Sequence, residues 1–319
     1  DRLLSRGLGD VYKRQGNERI LREVTIMKHW KSWRFFVQIS EAYQSNGFMY
    51  FLMEAMDTDL NQIIKSSQPL DDIHLKTLTC QMLKGLSFLH EAGIVHRDMK
   101  PSNLLVNRNC DLKIADFGMS REMTPCSSLT DHEMSGYVCT RWYRAPELIL
   151  RCAYDYKVDV WAAGCIVAEL LDRSALFSGS DEGEVLTIIL NTVSVRKSIT
   201  DRVFEIITAR VLSSINLVPF PLHVRYKPFG KHIVCLLQKL LRYDPSLRIT
   251  AATALDEPYF QQSSSFLTQY MVEERDILKY ALHTKGHRDM LLQIDQHFEN
   301  LPSTRIGSPS SDSASESDE

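Results

Sequence analysis

An α+β fold, with a few short strands giving way to a mainly helical remainder, follows from two observations. Two apolar runs, FFVQISEAY and FMYFLME, flank QSNG, and Asn46-Gly47 between such runs is a strong hairpin signal. From Asp71 to His90 the apolar residues Leu75, Leu78, Met82, Leu86 and Leu89 fall on one helical face, and most periodic stretches up to Phe260 read the same way.

The elements follow in order. NERILREVTIMKHW carries Ile20, Val24 and Met27 at helical spacing, with Asn17 placed to cap the N-terminus. The hairpin comes next, then the helix after Asp71. LKIAD reads as a short apolar strand. VWAAGCIVAELL is too short to span a bilayer and carries Glu169, so it predicts a buried helix. From Ser303 the chain is Ser-rich and acidic, and Asp312, Glu316, Asp318 and Glu319 against Arg305 match the whole chain's imbalance of −3. That tail is expected to be disordered. No internal repeat is visible.

With 319 residues the chain can hold one large domain or two lobes. Its 44% hydrophobic and 24% charged content is ordinary for a soluble globular protein. A net charge of −3 argues against a nucleic-acid partner bound by phosphate neutralisation. No run suggests a membrane partner, and no secretory signal is visible at the N-terminus. The seven cysteines are odd in number and scattered without a CxxC pair. They read as reduced thiols of a cytoplasmic or nuclear protein, not as a disulfide frame or zinc site.

The chemistry lies in HRDMKPSNLL, residues 96–105, and DFG, residues 116–118. HRDM recurs at 287–290, so the tetrapeptide alone is not specific. Its company is: Asp98 is followed by Lys100, then Asn103, and Asp116 lies eighteen residues beyond Asp98 behind LKIAD. Phosphoryl transfer needs these residue types. One carboxylate orients the attacking hydroxyl and accepts its proton, and an ammonium offsets charge on the moving phosphoryl group. A second carboxylate and an amide oxygen hold magnesium against the phosphates.

On these motifs, residues 16 to about 300 resemble a eukaryotic protein kinase. RWYRAPELIL supplies an Ala-Pro-Glu element at 145–147, DVWAAGCIVAELL resembles the central helix of the large lobe, and LLRYDPSLRITAATAL resembles the stretch whose arginine pairs with that glutamate. The resemblance implies a two-lobed α+β fold with a truncated N-terminal lobe and a mainly helical C-terminal lobe. It implies Asp98 as catalytic base, Lys100 as phosphate-facing lysine, and Asn103 and Asp116 as magnesium ligands. It also implies Glu23 as the helix glutamate that pairs with a strand lysine, and a structural role for Glu147, Asp159 and Arg248. MEAM, residues 53–56, resembles the hinge between lobes. There Met53, Glu54 and Met56 would meet adenine, Asp59 would lie near the ribose, and Leu105 would form the pocket floor.

Within kinases the chain is similar to the mitogen-activated family. SGYVCTRWYR, residues 135–144, resembles that family's dual phosphorylation lip, with Ser135 and Tyr137 as phosphosites. Arg22, Arg97 and Arg121 match arginines that gather the first phosphate; Arg141 and Arg144 match those for the phosphotyrosine. MDTDLNQIIKSSQPL, PSNLLVN and DFGMSR resemble the big mitogen-activated protein kinase subgroup (extracellular-signal-regulated kinase five), whereas the Gly-Tyr lip is similar to the stress-activated class. The implied cofactors are ATP and Mg2+. The implied partners are protein substrates with Ser/Thr-Pro sites and an upstream dual-specificity kinase, with neither nucleic acid nor membrane, in a cytoplasmic or nuclear setting.

Two features depart from the pattern. SRGLGDVYKRQ, residues 5–15, has Gly7, Gly9 and Lys13 but has Tyr12 where a third glycine belongs. Lys13 lies ten residues before Glu23 with no β-branched run behind it, and only 22 residues precede Glu23, too few for a glycine-rich loop and three strands. The stretch is therefore expected to be a decoy, and the kinase N-terminally incomplete. After the last lobe helix, YFQQSSSFLTQYM lacks the acidic docking cluster usual in the family; Glu273, Glu274 and Asp276 come only later. The expected organisation is a non-kinase segment (1–15), an N-lobe remnant (16–56), a C-lobe (57–262), a helical extension (263–302) and the acidic tail (303–319). The chain thus reads as a proline-directed serine/threonine kinase; the alternative is a kinase-shaped binding or scaffold protein without turnover.

Overall fold

The computed structural model describes residues 34–45, 48–123, 141–193 and 221–261, all within one compact unit, Asp1–Glu273. Arg22, Glu23, the Ser5–Gln15 stretch, the Asn46-Gly47 turn, Ser135, Tyr137 and everything after Gln261 lie outside the described residues.

The predicted hairpin forms. Strand β1 (Ile39–Ser45) pairs antiparallel with β2 (Phe48–Met53), from Ile39 opposite Met53 to Ser45 opposite Phe48. The first apolar run is divided between two duties, however. Phe35, Phe36 and Val37 are each at most 2% exposed and lie outside β1. They run parallel to the strand before DFG instead, with Val37 N–H donating to Ile114 O (3.0 Å) and Ile114 N–H to Phe35 O (2.7 Å). Three consecutive buried side chains cannot alternate between core and solvent as a hairpin strand requires.

Strand β3 (Thr58–Asp59) leads into helix α1 (Leu60–Lys65), whose N-cap Asp59 accepts from Gln62 N–H at 2.9 Å. Near the other end the Arg173 guanidinium reaches Ile63 O (2.8 Å) and, beyond the helix, Gln68 O (2.6 Å). Helix α2 (Asp72–Glu91) starts where the sequence places it, with Asp71 as N-cap. It is buried all round from Lys76 to Leu89, not on the single face that the periodicity implied. Its polar side chains are therefore partnered: the Gln81 amide donates to Cys110 O and accepts from Leu112 N–H, both at 2.8 Å, standing in for a neighbouring strand. Gly85 lets this helix approach the strand beyond; a Cβ there would sit 2.7 Å from Ile114 Cδ1.

The segment from Ile94 to Glu122 is built from β4 (Ile94–Val95), a 3₁₀ turn (Pro101–Asn103), β5 (Leu104–Val106), β6 (Leu112–Ile114), a second 3₁₀ turn (Phe117–Met119) and β7 (Arg121–Glu122). Strands β3, β5 and β6 form one antiparallel sheet, and β4 pairs with β7. The rest is helical: α3 (Pro146–Ile149), α4 (Lys157–Asp172), α5 (Glu182–Thr192), α6 (Leu222–Arg225), α7 (Lys231–Leu240), α8 (Ala251–Ala254) and α9 (Pro258–Gln261). Buried from Lys157 to Leu170, α4 forms the spine of the helical part, its Trp161 stacked on Phe177 with ring centroids 5.6 Å apart. Among the described residues no helix is long and apolar enough to cross a membrane.

Glu169, the charge within the apolar run, points inward and accepts the Tyr143 hydroxyl at 2.7 Å. Burial pushes its carboxyl above the ordinary value of 4.5, and the Tyr143 hydrogen bond opposes this only in part. A carboxyl raised by folding contributes stability below its unfolded pKa, and that contribution is lost as pH rises through the folded value. Glu169→Gln keeps an acceptor for Tyr143 without the charge. Its melting temperature relative to the parent protein is expected to climb between pH 4 and pH 7; a constant difference across that range would contradict the assignment.

Candidate active site

The site begins with Asp159, in the first turn of α4 and 1% exposed. Its carboxylate accepts His96 N–H and Arg97 N–H, each at 2.8 Å, and His90 Nε2 at 3.0 Å. These bonds hold the turn entering Asp98, in which Arg97 takes the left-handed backbone (φ 69°) that non-glycine residues rarely adopt. Burial pushes the Asp159 carboxyl up, but the hydrogen bonds from His90 and from the His96 backbone N–H help to outweigh it, leaving a net shift below the ordinary carboxylate value. Its stabilisation is accordingly present above the unfolded pKa and lost as pH falls through the folded one. Asp159→Asn offers one acceptor where two oxygens serve and turns an NH2 toward donors. A loss of about 3 kcal/mol at neutral pH is expected in urea titration, on hydrogen bonds to charged groups worth about 1.5–3 kcal/mol each; a loss below about 1 kcal/mol would refute the anchoring role.

His96 then joins two motifs that are far apart in sequence. Its Nδ1 accepts from Asp98 N–H (3.3 Å) while its Nε2 lies 3.1 Å from Ala115 O, which assigns the proton to Nε2. Phe117 of DFG, 1% exposed, packs edge-on against His96 and Phe36. Asp116 thereby sits immediately after a residue tied to the Asp98 turn, in a left-handed conformation (φ 67°, ψ 72°).

Around Asp98 the geometry is tight. Lys100 Nζ lies 2.5 Å from Asp98 Oδ2, and Asn103 Nδ2 donates to Asp98 O (2.8 Å) and Oδ2 (3.2 Å). The Asn103 backbone is fixed as well, its carbonyl accepting Ala115 N–H at 2.9 Å. Asn103 Oδ1 is buried and has no hydrogen-bond partner among the described residues. A buried lone acceptor is costly unless something electropositive meets it. This amide oxygen and the carboxylate of Asp116, which follows Ala115 where the backbone is bonded to Asn103 O, are hard oxygen donors of the type a magnesium ion takes, so the residue types fit that ion.

The structural pair is also present. Arg248 Nη1 and Nη2 donate to the two Glu147 carboxylate oxygens at 2.6 and 3.0 Å, both side chains at most 1% exposed. The other Arg248 nitrogen contacts go to Arg242 O, Tyr243 O and Lys157 O, and its guanidinium lies 5.0 Å from the Trp161 ring centre. Lys157 Nζ in turn donates to Arg248 O.

At the hinge, Met53 ends β2 and is 39% exposed, Met56 is half-buried, and Glu54 N–H donates to Gln38 O at 3.0 Å. Asp59 pairs with Leu105, and Leu105 with Lys113. Those three are half-buried while Leu104, Val106, Leu112 and Ile114 are in the core, so they form one cross-strand row on the face away from it.

The expected phosphate-binding arginines divide. Arg121 lies opposite Val95 in the β4–β7 pair, two residues from Arg97, whose guanidinium lies 5.7 Å from the Tyr154 ring centre. Arg144 donates to Glu182 Oε1 at 2.6 Å, and its Nε and Nη2 are buried without partners among the described residues. Arg141 Nη1 reaches Ser180 O at 3.5 Å and Trp142 Nε1 reaches Gly179 O at 2.9 Å, so Arg141 and Trp142 are seated on the loop before α5. Sequence reasoning missed His96 as the connector and Lys113 and Glu182 as partners. His96 alone had a signal, its place in the motif.

Comparison with known proteins agrees with this geometry. The protein kinase domain family matches residues 9–260. Mitogen-activated protein kinase 4 of Oryza sativa subsp. japonica is 42% identical over 250 residues, covering 76% of this chain and 66% of the relative. Mitogen-activated protein kinase spk1 of Schizosaccharomyces pombe is 40% identical over 250 residues (76% and 65%), and mitogen-activated protein kinase 14 of Arabidopsis thaliana 40% over 252 residues (76% and 67%). The chain spans about two thirds of the length of the curated relatives it matches. Plant and yeast relatives match at similar identity, so the likeness distinguishes the family and not the big-kinase subgroup within it. A kinase-domain match across most of the chain, and the Asp98, Asn103 and Asp116 constellation within it, make this chain a member of the protein kinase family, in its mitogen-activated branch.

Proposed function

We propose that the protein transfers the γ-phosphoryl group of ATP to serine or threonine hydroxyls of other proteins. The carrying observation is the arrangement of Asp98 against Lys100 and Asn103, with the buried Asn103 Oδ1 left for a cation. Asp98, held by the anchored turn, orients the acceptor hydroxyl and takes up its proton. Lys100, now resting on Asp98 Oδ2, moves its charge to the phosphoryl oxygens as that carboxylate becomes protonated. Asn103 and Asp116 would hold magnesium, which when bound neutralises charge on the β- and γ-phosphates. Glu54, Met56 and Leu105 would receive adenine, and Asp59 the ribose.

Activation runs through phosphorylation of Ser135 and Tyr137 by an upstream dual-specificity kinase. Each phosphate adds about −1.5 to −2 charge and acceptor oxygens, enough to order a loop where guanidinium groups wait. The two unpartnered nitrogens of Arg144 support this reading, with Arg141 beside it; Arg22, Arg97 and Arg121 would serve the phosphoserine. The ordered lip leaves no partner for the backbone N–H of the residue after the acceptor, so proline, which has none, is preferred there. The protein acts in the cytoplasm or nucleus.

The test is an assay of the protein, phosphorylated by such an upstream kinase, on peptides differing only in proline or alanine after the acceptor serine. At least about a tenfold preference for proline is expected, and loss of most activity in Tyr137→Phe. Equal rates on the two peptides, or full activity of Tyr137→Phe, would defeat the reading.

A further inference from the structure

One charged cluster ties the side chain of Glu54, whose backbone is proposed to meet adenine, to Lys113 and Gln38, which have no role so far. Glu54, the first residue after β2, places both carboxylate oxygens 2.7 Å from Lys113 Nζ. Oε1 also accepts the Gln38 backbone N–H at 2.8 Å, while Glu54 N–H returns a bond to Gln38 O at 3.0 Å. The Lys113 and Glu54 side chains are 14% and 30% exposed, well shielded for an ion pair. This is a reciprocal double tie between Glu54 and Gln38, closed by an ammonium from β6.

Each partner comes from a different part of the fold. Gln38 lies between the Phe35–Val37 stretch and β1. Glu54 begins the linker leading to α1. Lys113 is on β6, three residues before Asp116, in a strand locked to the catalytic turn through Ala115. Rotation of the hairpin relative to the helical part must therefore stretch the Lys113–Glu54 contact, which links the linker to the strand carrying the cation ligand.

We infer that Lys113 is a positioning residue: through Glu54 it fixes the linker's backbone relative to β6, and thereby holds the adenine-facing and cation-binding ends of the site in one register. The adenine-facing part rests on the reading of Glu54 and Met56 proposed above. Charge-assisted bonds to both carboxylate oxygens are about twice as strong as neutral ones, and they set direction as well as distance. A preorganised linker spares a nucleotide the cost of ordering it.

The experiment compares the protein with its Lys113→Met and Lys113→Arg variants. Amide hydrogen exchange is followed at Glu54–Asp57 and, as a control, along α4. In Lys113→Met, exchange at Glu54–Asp57 is expected to rise about tenfold with α4 unchanged, and release of a fluorescent ADP analogue with magnesium to quicken about fivefold. Lys113→Arg should restore both. Unchanged exchange at the linker, or an equal rise along α4, would overturn the inference, the second showing only general destabilisation. Raised linker exchange with an unaltered release rate would overturn the link to nucleotide. Failure of the unmutated protein to bind the analogue would count against the kinase reading and against that link, while the exchange comparison still decides whether Lys113 fixes the linker.

Discussion

Asp116→Asn is expected to lower phosphoryl transfer by about three orders of magnitude or more while the protein still melts cooperatively near the parent temperature. Asp116 occupies a left-handed backbone position beside the site, whereas the packing of this segment belongs to Phe117 and the tie to the Asp98 turn belongs to Ala115. The substitution therefore removes the charge proposed to hold the cation, while Phe117 and Ala115 keep their own contacts. Metal-ion stabilisation of a phosphoryl transition state supplies several kcal/mol, and each 1.36 kcal/mol is about tenfold in rate. The check is steady-state transfer to a protein substrate, with a magnesium titration of nucleotide binding beside it. Turnover within about tenfold of the parent's would refute the role of Asp116. A collapse of thermal stability would show instead that the carboxylate serves the fold.

The second large effect is on stability. Arg248→Ala is expected to cost about 3–5 kcal/mol, because it strands the Glu147 carboxylate, 1% exposed, without its only charged partner among the described residues. It also releases the carbonyls of Arg242, Tyr243 and Lys157 that the guanidinium now satisfies. The double change Glu147→Leu with Arg248→Met should recover part of the loss, since two apolar groups need no pairing. Recovery should stay incomplete because those carbonyls remain unserved. Urea titrations of parent, single and double variants measure both effects. A single-variant loss under about 1 kcal/mol would show that the pair does not hold α3 to the segment before α8.

The physical reason for this cost bears on the active site. Glu147 follows directly from the Arg141–Pro146 segment, whose other attachments are Trp142 to Gly179, Tyr143 to Glu169 and Arg144 to Glu182. Anchored at its buried end by Arg248, that segment presents Arg141 and Arg144 toward the loop before α5.

The sequence alone was enough to place the chain in the protein kinase family and its mitogen-activated branch. Asp98, Lys100, Asn103 and Asp116 stood out as candidates because phosphoryl transfer, the proposed activity, restricts residue type and spacing together. Asp159 and the Glu147–Arg248 pair were legible only through the family resemblance, and the hairpin through its turn residues. Tertiary structure decided what depends on partners distant along the chain. The burial of α2 on every side follows from what packs around it, and a helical period cannot encode that. Phe35–Val37 left the hairpin because β6 offered a parallel neighbour. His96 could be given its proton only once Asp98 N–H and Ala115 O were both beside it. Lys113, an unremarked lysine in a short strand, acquired a role only when folding set Glu54, 59 residues away in sequence, within 2.7 Å of its ammonium. Local pattern marks an apolar face of an element; only the packed chain decides what else is buried and which charge meets which, because ion pairs and buried hydrogen bonds depend on distances of a few ångströms that sequence separation does not carry.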